Sequence, residues 1–167
     1  EEFGILGSKR ILTLPVPSLI MIGVYVAAYL VLHQTRFGRY VYAVGGNPEA
    51  ARLSGIDTNR VIMTVYIICG FLAALSGILL ASRMNSGQPN AGQMYELDVI
   101  AAVVVGGTSL FGGRGSIAGT FIGAMLIGVL RNGLNLLNVG SYVQMIVLGS
   151  VILLAVLFDQ LRKQISA

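Results

Sequence analysis

An apolar stretch without a charged side chain, residues 61–82, constrains this chain more than any other feature. A helix of about 20 mostly apolar residues crosses the hydrocarbon of a bilayer, where every backbone N–H and C=O must be bonded within the segment. Similar charge-free stretches occupy residues 11–35, 99–113, 115–130 and 132–158. We therefore predict an all-α integral membrane protein with five transmembrane segments.

The middle segments are expected to be short or broken. Gly106-Gly107 and Gly112-Gly113 interrupt the stretch at 99–113, which is either a tilted, interrupted span or one arm of a re-entrant hairpin. The stretch at 115–130 is also short for a full crossing. A polar loop is expected at 83–98, and the first helix is expected from about 17 to 32.

Composition agrees with a membrane protein, since 55% of the residues are hydrophobic and only 11% are charged. The formal net charge is +4, but Lys and Arg lie at the edges of apolar stretches, which indicates membrane topology and excludes a basic stripe for nucleic acid. Cys69 and His33 are each the single residue of their type, so no disulfide framework, metal site or cofactor is predicted.

A polar island at residues 45–57 separates the first two apolar stretches and has the pattern of a short, capped helix. Asn47 is a good N-cap, Pro48 suits the first helical position, and Glu49 places a negative charge in the first turn. Gly55 ends the helix at low cost, and Asp57 can cap the next one. So short a helix is marginal alone, which indicates that neighbours or a partner hold it.

The sequence Glu49-Ala50-Ala51 followed by Gly55 resembles the EAA…G loop of the membrane subunits of ABC importers. From about residue 15 onward the chain is similar to ribose-type sugar permeases and resembles the C-terminal half of a type II ABC importer permease. Further matching motifs are Phe37-Gly38-Arg39-Tyr40, Tyr95-Glu96-Leu97-Asp98, Gly106-Gly107-Thr108-Ser109-Leu110, Gly112-Gly113-Arg114-Gly115 and Asn132-Gly133-Leu134-Asn135. The start at Glu1-Glu2-Phe3, without Met, fits the same interpretation, in which residues 1–167 are part of one permease domain.

The resemblance implies a transport subunit, not an enzyme, that imports a ribose-like monosaccharide across the bacterial cytoplasmic membrane. It implies four partners: cytoplasmic ATPases that hydrolyse ATP, a second permease subunit, an extracytoplasmic sugar-binding protein and the lipid bilayer. Residues 34–60 would form a cytoplasmic coupling loop. Its coupling helix, which would lie in a groove of the ATPase, includes Asn47, Pro48, Glu49, Ala50, Ala51, Arg52 and Gly55. The small Ala50 and Ala51 would let that helix approach the groove closely.

Other transport functions stay open at this stage. A branched-chain amino acid or nucleoside permease of the same superfamily is one alternative. Half of an ion-driven secondary transporter is another, although it needs an intramembrane carboxylate, and Glu96 and Asp98 lie only at the edge of a span. No buried charge suited to a zwitterion stands out in the spans, which favours a neutral sugar.

Orientation follows from the Lys and Arg residues in the short connections. A cytoplasmic 34–60 loop places these residues inside: Arg36, Arg39, Arg52, Arg60, Arg114, Arg162 and Lys163. It leaves Lys9, Arg10, Arg83 and Arg131 outside. This bias predicts an outside start and a cytoplasmic C-terminus.

Two further groups of residues are candidate sites. Residues 107–112 have the glycine spacing of a phosphate-binding loop, but the required Lys and Ser or Thr are absent, so this is not a nucleotide site. Broken helices often border transport pathways, and residue counting places Gly106, Gly107, Thr108 and Ser109 about halfway through the bilayer. Local backbone bonding is an equal explanation for the two hydroxyls. Arg83 and Arg131 are candidates for docking a binding protein, with a solvated rim as the alternative.

Overall fold

Seven helices make up most of the computed structural model, which describes residues 10–11, 14–88 and 91–165. They are α1 (Val16–Gln34), α2 (Arg36–Gly46), α3 (Pro48–Leu53), α4 (Thr58–Met84), α5 (Tyr95–Val105), α6 (Ile117–Leu136) and α7 (Ser141–Ile165). Ahead of them, the two-residue strands β1 (Arg10–Ile11) and β2 (Leu14–Pro15) pair antiparallel, with Arg10 opposite Pro15. The predicted all-α class is confirmed. Lys9, the start at 1–3 and residues 89–90 of the predicted polar loop lie outside the described residues.

Three of the described helices, α1, α4 and α6, are long and apolar enough to cross a membrane. The apolar part of α7, Ser141–Leu157, is shorter. Almost none of the residues in the three long helices are buried within the described structure: 0%, 6% and 11% of their most apolar windows. A helix that is apolar on all sides is stable when lipid or other helices surround it, so the predicted membrane class is confirmed.

The ends of α4 lie outside the apolar stretch at 61–82, because polar residues at both ends continue the helix. The Asp57 carboxylate accepts a hydrogen bond from the backbone N–H of Arg60 at 3.2 Å and caps the first turn. At the other end Asn85 takes the left-handed conformation, with φ +49°, which stops the helix. As a result α4 is 27 residues long and includes both Arg60 and Arg83.

The short, interrupted segment predicted after residue 99 is confirmed as α5, which has 11 residues. Its rise is about 16 Å, roughly half the hydrocarbon thickness of about 30 Å, so α5 alone does not cross. The helix starts at Tyr95, earlier than the apolar stretch, since Glu96 and Asp98 in its first turn interact favourably with the helix dipole. It ends at Val105, Gly106 is its C-cap residue, and Gly107 has φ +84°.

The chain divides into two compact units, Glu1–Gln93 and Met94–Ala167. In the second unit, α5 and α7 both pack against the shared core around Ala101, Ala102, Ile127 and Leu148. The α6–α7 turn is held by Gln144, whose amide donates to the Asn135 side chain at 2.9 Å and to the Val139 carbonyl at 2.8 Å.

Glycines bring α5 and α6 into direct backbone contact. A Cβ added at Gly123 would collide with the carbonyl group of Ala102, and one added at Gly106 would collide with the backbone at Gly119. Gly119 and Gly123 therefore serve the close helix contact that small residues permit in membranes. Gly115 has a different neighbour, because a Cβ there would meet the Thr108 side chain at 2.8 Å.

In the first unit, α1 and α2 meet at a sharp corner. Thr35 has an extended backbone, and its hydroxyl oxygen accepts a hydrogen bond from the Gly38 N–H at 3.2 Å, which caps α2. Gly38 lies directly on the backbone of Leu32, where a Cβ has no room. The corner therefore depends on a glycine at position 38.

Replacing Gly123 by alanine tests the α5–α6 contact. We expect Gly123→Ala to lower the free energy of unfolding by about 1–3 kcal/mol, because the added methyl group forces the two backbones apart. In detergent, the full-length protein should unfold at a lower temperature. The matched control is Gly128→Ala in the same helix, where nothing lies within 4 Å of the added Cβ. Equal melting temperatures for the two variants would contradict the contact.

Candidate functional site

The caps predicted for the polar island are present in α3. The Asn47 side chain accepts a hydrogen bond from the Ala50 N–H at 3.0 Å, and Pro48 occupies the first turn. At the other end Gly55 has φ +83°, and its N–H donates to the Arg52 carbonyl at 3.0 Å. These bonds satisfy backbone groups that a six-residue helix would otherwise leave open.

The helix α2 was not predicted, and it changes the surroundings of α3. Its apolar residues Phe37, Val41 and Val44 recur at helical spacing on one face. Val44 forms a buried cluster with Ala51 of α3 and Val61 of α4, and Phe37, Val41 and Ile56 pack around it. The sequence signals for α2 were the N-cap Thr35 and this apolar spacing.

Burial divides the candidate coupling helix into an inner and an outer face. Ala51 is only 5% exposed, so it packs against its own chain and differs from the expectation that both alanines can approach a partner. The outer face carries Glu49, Ala50, Arg52 and Leu53, all exposed. Leu53, with 85% of its surface exposed, was missed by the sequence analysis. A single exposed apolar side chain is normal on a protein surface, so Leu53 alone does not identify an interaction surface.

The glycine-rich loop after α5 folds back on itself. The Thr108 N–H donates to the Val103 carbonyl at 3.1 Å, and the Ser109 N–H donates to the Arg114 carbonyl at 3.0 Å. Gly107 has positive φ, as do Gly112 and Gly113. The loop therefore satisfies much of its own backbone, as a non-helical segment near a membrane must.

Ser109 also bonds to the C-terminal part of α7. Its hydroxyl donates to the Asp159 carboxylate at 2.8 Å. Asp159 lies about 27 Å along α7 from Ser141, at 1.5 Å per residue, and is therefore beside the polar end of that helix. This location differs from the depth of about half the bilayer that residue counting predicted for Ser109. The translocation role of Gly106, Gly107, Thr108 and Ser109 stays a prediction.

The two arginines suggested for docking have different surroundings. Arg83 is exposed in the last turn of α4. Arg131 pairs with Asp98 at 2.5 Å, and its guanidinium lies over the ring of Tyr95, 5.5 Å from the centroid. Arg131 therefore already has a carboxylate partner within its own chain, which the sequence analysis did not anticipate. A docking role for either residue stays a prediction.

Comparison with known proteins finds permeases that are similar to this chain in sequence. The chain is 57% identical to the ribose import permease protein RbsC of Escherichia coli (strain K12) over 164 residues, 98% of this chain and 51% of that protein. It is 53% identical to RbsC of Bacillus subtilis (strain 168), over 95% of this chain and 49% of that protein. It is 45% identical to the xylose transport system permease protein XylH of E. coli (strain K12), over 90% and 38% of the two chains.

No solved structure matches the chain significantly. The chain spans about half the length of the curated relatives it matches. Residues 2–156 match the family described as branched-chain amino acid transport system / permease component. That match covers most of the chain and agrees with its apolar helices and glycine-dependent helix contacts. The chain is therefore a multi-pass membrane protein that belongs to this family of transport permeases.

Proposed function

We propose that the chain is part of the permease subunit of an ABC importer that moves a ribose-like monosaccharide across the bacterial inner membrane. The observation that carries the proposal is the high identity to two ribose import permeases over nearly the whole chain. Similarity to a xylose permease supports the broader class of neutral monosaccharides.

The charges of the described helices favour a sugar over an amino acid. No Asp or Glu occurs in α1, α4 or α6, so these helices offer no carboxylate to the ammonium group of a zwitterion. In α5, Asp98 is already paired with Arg131, which also disfavours it as an ion-coupling carboxylate. The branched-chain amino acid wording of the family description keeps that substrate class as the second candidate.

Residues 34–60 would lie in the cytoplasm, where the outer face of α3 would dock on an ATPase subunit that hydrolyses ATP. Leu53 and Ala50 offer an apolar contact, and Glu49 and Arg52 flank it with opposite charges. Ala51 would transmit movement of the ATPase to the permease helices, because it packs against Val44 of α2 and Val61 of α4. ATP binding would then shift the long α4 helix by favouring one state of the transporter over the other.

The remaining partners follow from the same proposal. A second permease subunit would complete the pathway, and an extracytoplasmic binding protein would deliver the sugar, with Arg83 and Arg131 as docking candidates. The Gly106–Ser109 turn would border the pathway. The C-terminus would be cytoplasmic, and this chain would correspond to the C-terminal half of the subunit.

Sugar uptake tests the function directly. In proteoliposomes containing the full-length permease, its ATPase and its binding protein, we expect labelled ribose to accumulate only when ATP is supplied to the ATPase side. Ionophores should leave the rate unchanged. ATP-driven accumulation of labelled leucine or isoleucine, with none of labelled ribose, would support the amino acid alternative. Uptake without ATP that ionophores abolish would contradict the ABC assignment.

Single cysteines test which face of α3 meets the ATPase. In full-length protein with Cys69 replaced by serine, we expect ATP-sensitive crosslinks to the ATPase from Ala50→Cys and Leu53→Cys. Ala51→Cys is the matched control and should give none, because position 51 is buried within the permease. Reaction of positions 50 and 53 with an impermeant reagent from outside would reverse the proposed topology.

Introducing a negative charge at position 53 tests the proposed apolar contact between α3 and the ATPase. We expect Leu53→Asp to lower ATP-driven uptake at least tenfold, since a carboxylate would be buried unpaired at the ATPase surface. Leu53→Met keeps apolar volume and should transport within twofold of the parent protein. Immunoblots of the membranes check that both variants are inserted in equal amounts. Equal uptake by the two variants would contradict the role of Leu53.

A further inference from the structure

Two rows of residues at four-residue spacing face each other where α5 packs on α6. They are Asp98 and Ala102 of α5 with its C-cap residue Gly106, and Gly119, Gly123, Ile127 and Arg131 of α6. Residues four apart form one ridge on a helix surface, and such ridges guide helix packing. Gly106 lies against Gly119, and Ala102 lies against Gly123, so the two ridges run antiparallel.

The ion pair lies at the far end of these ridges. One turn beyond the Ala102–Gly123 contact, the antiparallel register places Asp98 opposite Ile127. Arg131 lies one turn further along α6, and helical side chains lean toward the N-terminus of their own helix. The Arg131 guanidinium therefore extends back to Asp98, where Nη1 lies 2.5 Å from Oδ2. The ion pair forms in this register because the Arg131 side chain spans the length of one helical turn.

Glycine contacts fix the register at the loop end of α5, where Gly106 and Ala102 lie against Gly119 and Gly123. A shift of α5 by one turn toward the N-terminus of α6 would place Ala102 opposite Gly119, so a small residue would still face that backbone. The same shift would place Asp98 opposite Gly123, two turns from Arg131. The ion pair is therefore a contact at the far end of the two ridges that the observed register permits and the shifted one does not.

The surroundings of the pair make its loss costly. The side chains of Arg131 and Asp98 are 32% and 18% exposed, whereas those of the surface pair Arg60–Asp57 are 87% and 54% exposed. Oδ1 of Asp98 is buried and accepts no hydrogen bond from the described residues. Removing one member leaves the other partly desolvated and without its partner, which is far less favourable than breaking an exposed pair.

We propose that Asp98 and Arg131 are positioning residues that lock the register of α5 on α6. The lock holds the Gly106–Ser109 turn in place, because that turn directly follows α5 and is tied at its other side to Asp159 through Ser109. Its consequence for transport rests on the proposed function. A shift of one helical turn would move the turn by about 5 Å, which is enough to disrupt a pathway bordered by it.

A disulfide measures the register without any substrate. Ala101 and Ile127 belong to one buried cluster, so Ala101→Cys with Ile127→Cys should crosslink under mild oxidation in full-length protein with Cys69 replaced by serine. We expect D98N or R131Q to lower the yield at least threefold. The exchange D98R/R131D should restore it, because an arginine at 98 leans toward position 131 in the antiparallel pair. The control E96Q removes an exposed charge from the same turn of α5 and should leave the yield unchanged.

Transport supplies a second measurement, made without the added cysteines. We expect D98N and R131Q to lower the maximal uptake rate at least tenfold. For D98N, KM should stay within twofold, since Asp98 is proposed to bind neither the sugar nor the binding protein. The exchange should recover a rate within threefold of the parent protein. Single variants that crosslink like E96Q, or an exchange that inserts normally without recovery, would overturn the proposal. If D98N and R131Q lower the crosslink yield as expected but the parent protein transports no sugar, the proposed function fails and the register lock stands.

Discussion

Backbone hydrogen bonding within the chain is the constraint on which the rest of the structure depends. In hydrocarbon, helices such as α1, α4 and α6 satisfy their backbone internally, and any interruption must find its own partners. The segment between α5 and α6 does so through bonds within itself, including that from the Gly112 N–H to the Ser109 carbonyl at 3.2 Å. A broken segment can therefore pack beside α7 as a defined element.

Short helices are held in place by contacts that reach outside them. The six-residue α3 and the 11-residue α5 are both too short to be stable alone. A buried alanine at 51 fastens α3 to its neighbours, and glycine contacts with an ion pair fasten α5 to α6. In both cases a small residue permits close approach, and α5 also has a polar contact that fixes its position. Such elements are expected to move with the helices that support them.

The features that were predicted correctly are those that depend on residues close together in the sequence. The apolar stretches gave the membrane class, and Asn47, Pro48 and Gly55 gave both ends of α3. The helix α2 was missed because its charges and glycines resembled a loop, although Thr35 and the spacing of Phe37, Val41 and Val44 were visible. The burial of Ala51 and the Asp98–Arg131 pair could not be predicted, since each depends on how separate helices pack. The roles of the candidate sites depend on partners that no local pattern specifies.

The way charges are used in the second unit bears on the chemistry of the proposed pathway. Asp98 pairs with Arg131, and Asp159 accepts a hydrogen bond from Ser109, so these two carboxylates hold helices and a loop together. An ammonium ligand would have to compete for a carboxylate that already stabilises the fold. In the proposed function a neutral polyol would need no carboxylate, so the Asp98–Arg131 pair and the Ser109–Asp159 hydrogen bond would stay in place. Helix packing by charge and the proposed transport of an uncharged sugar are therefore compatible.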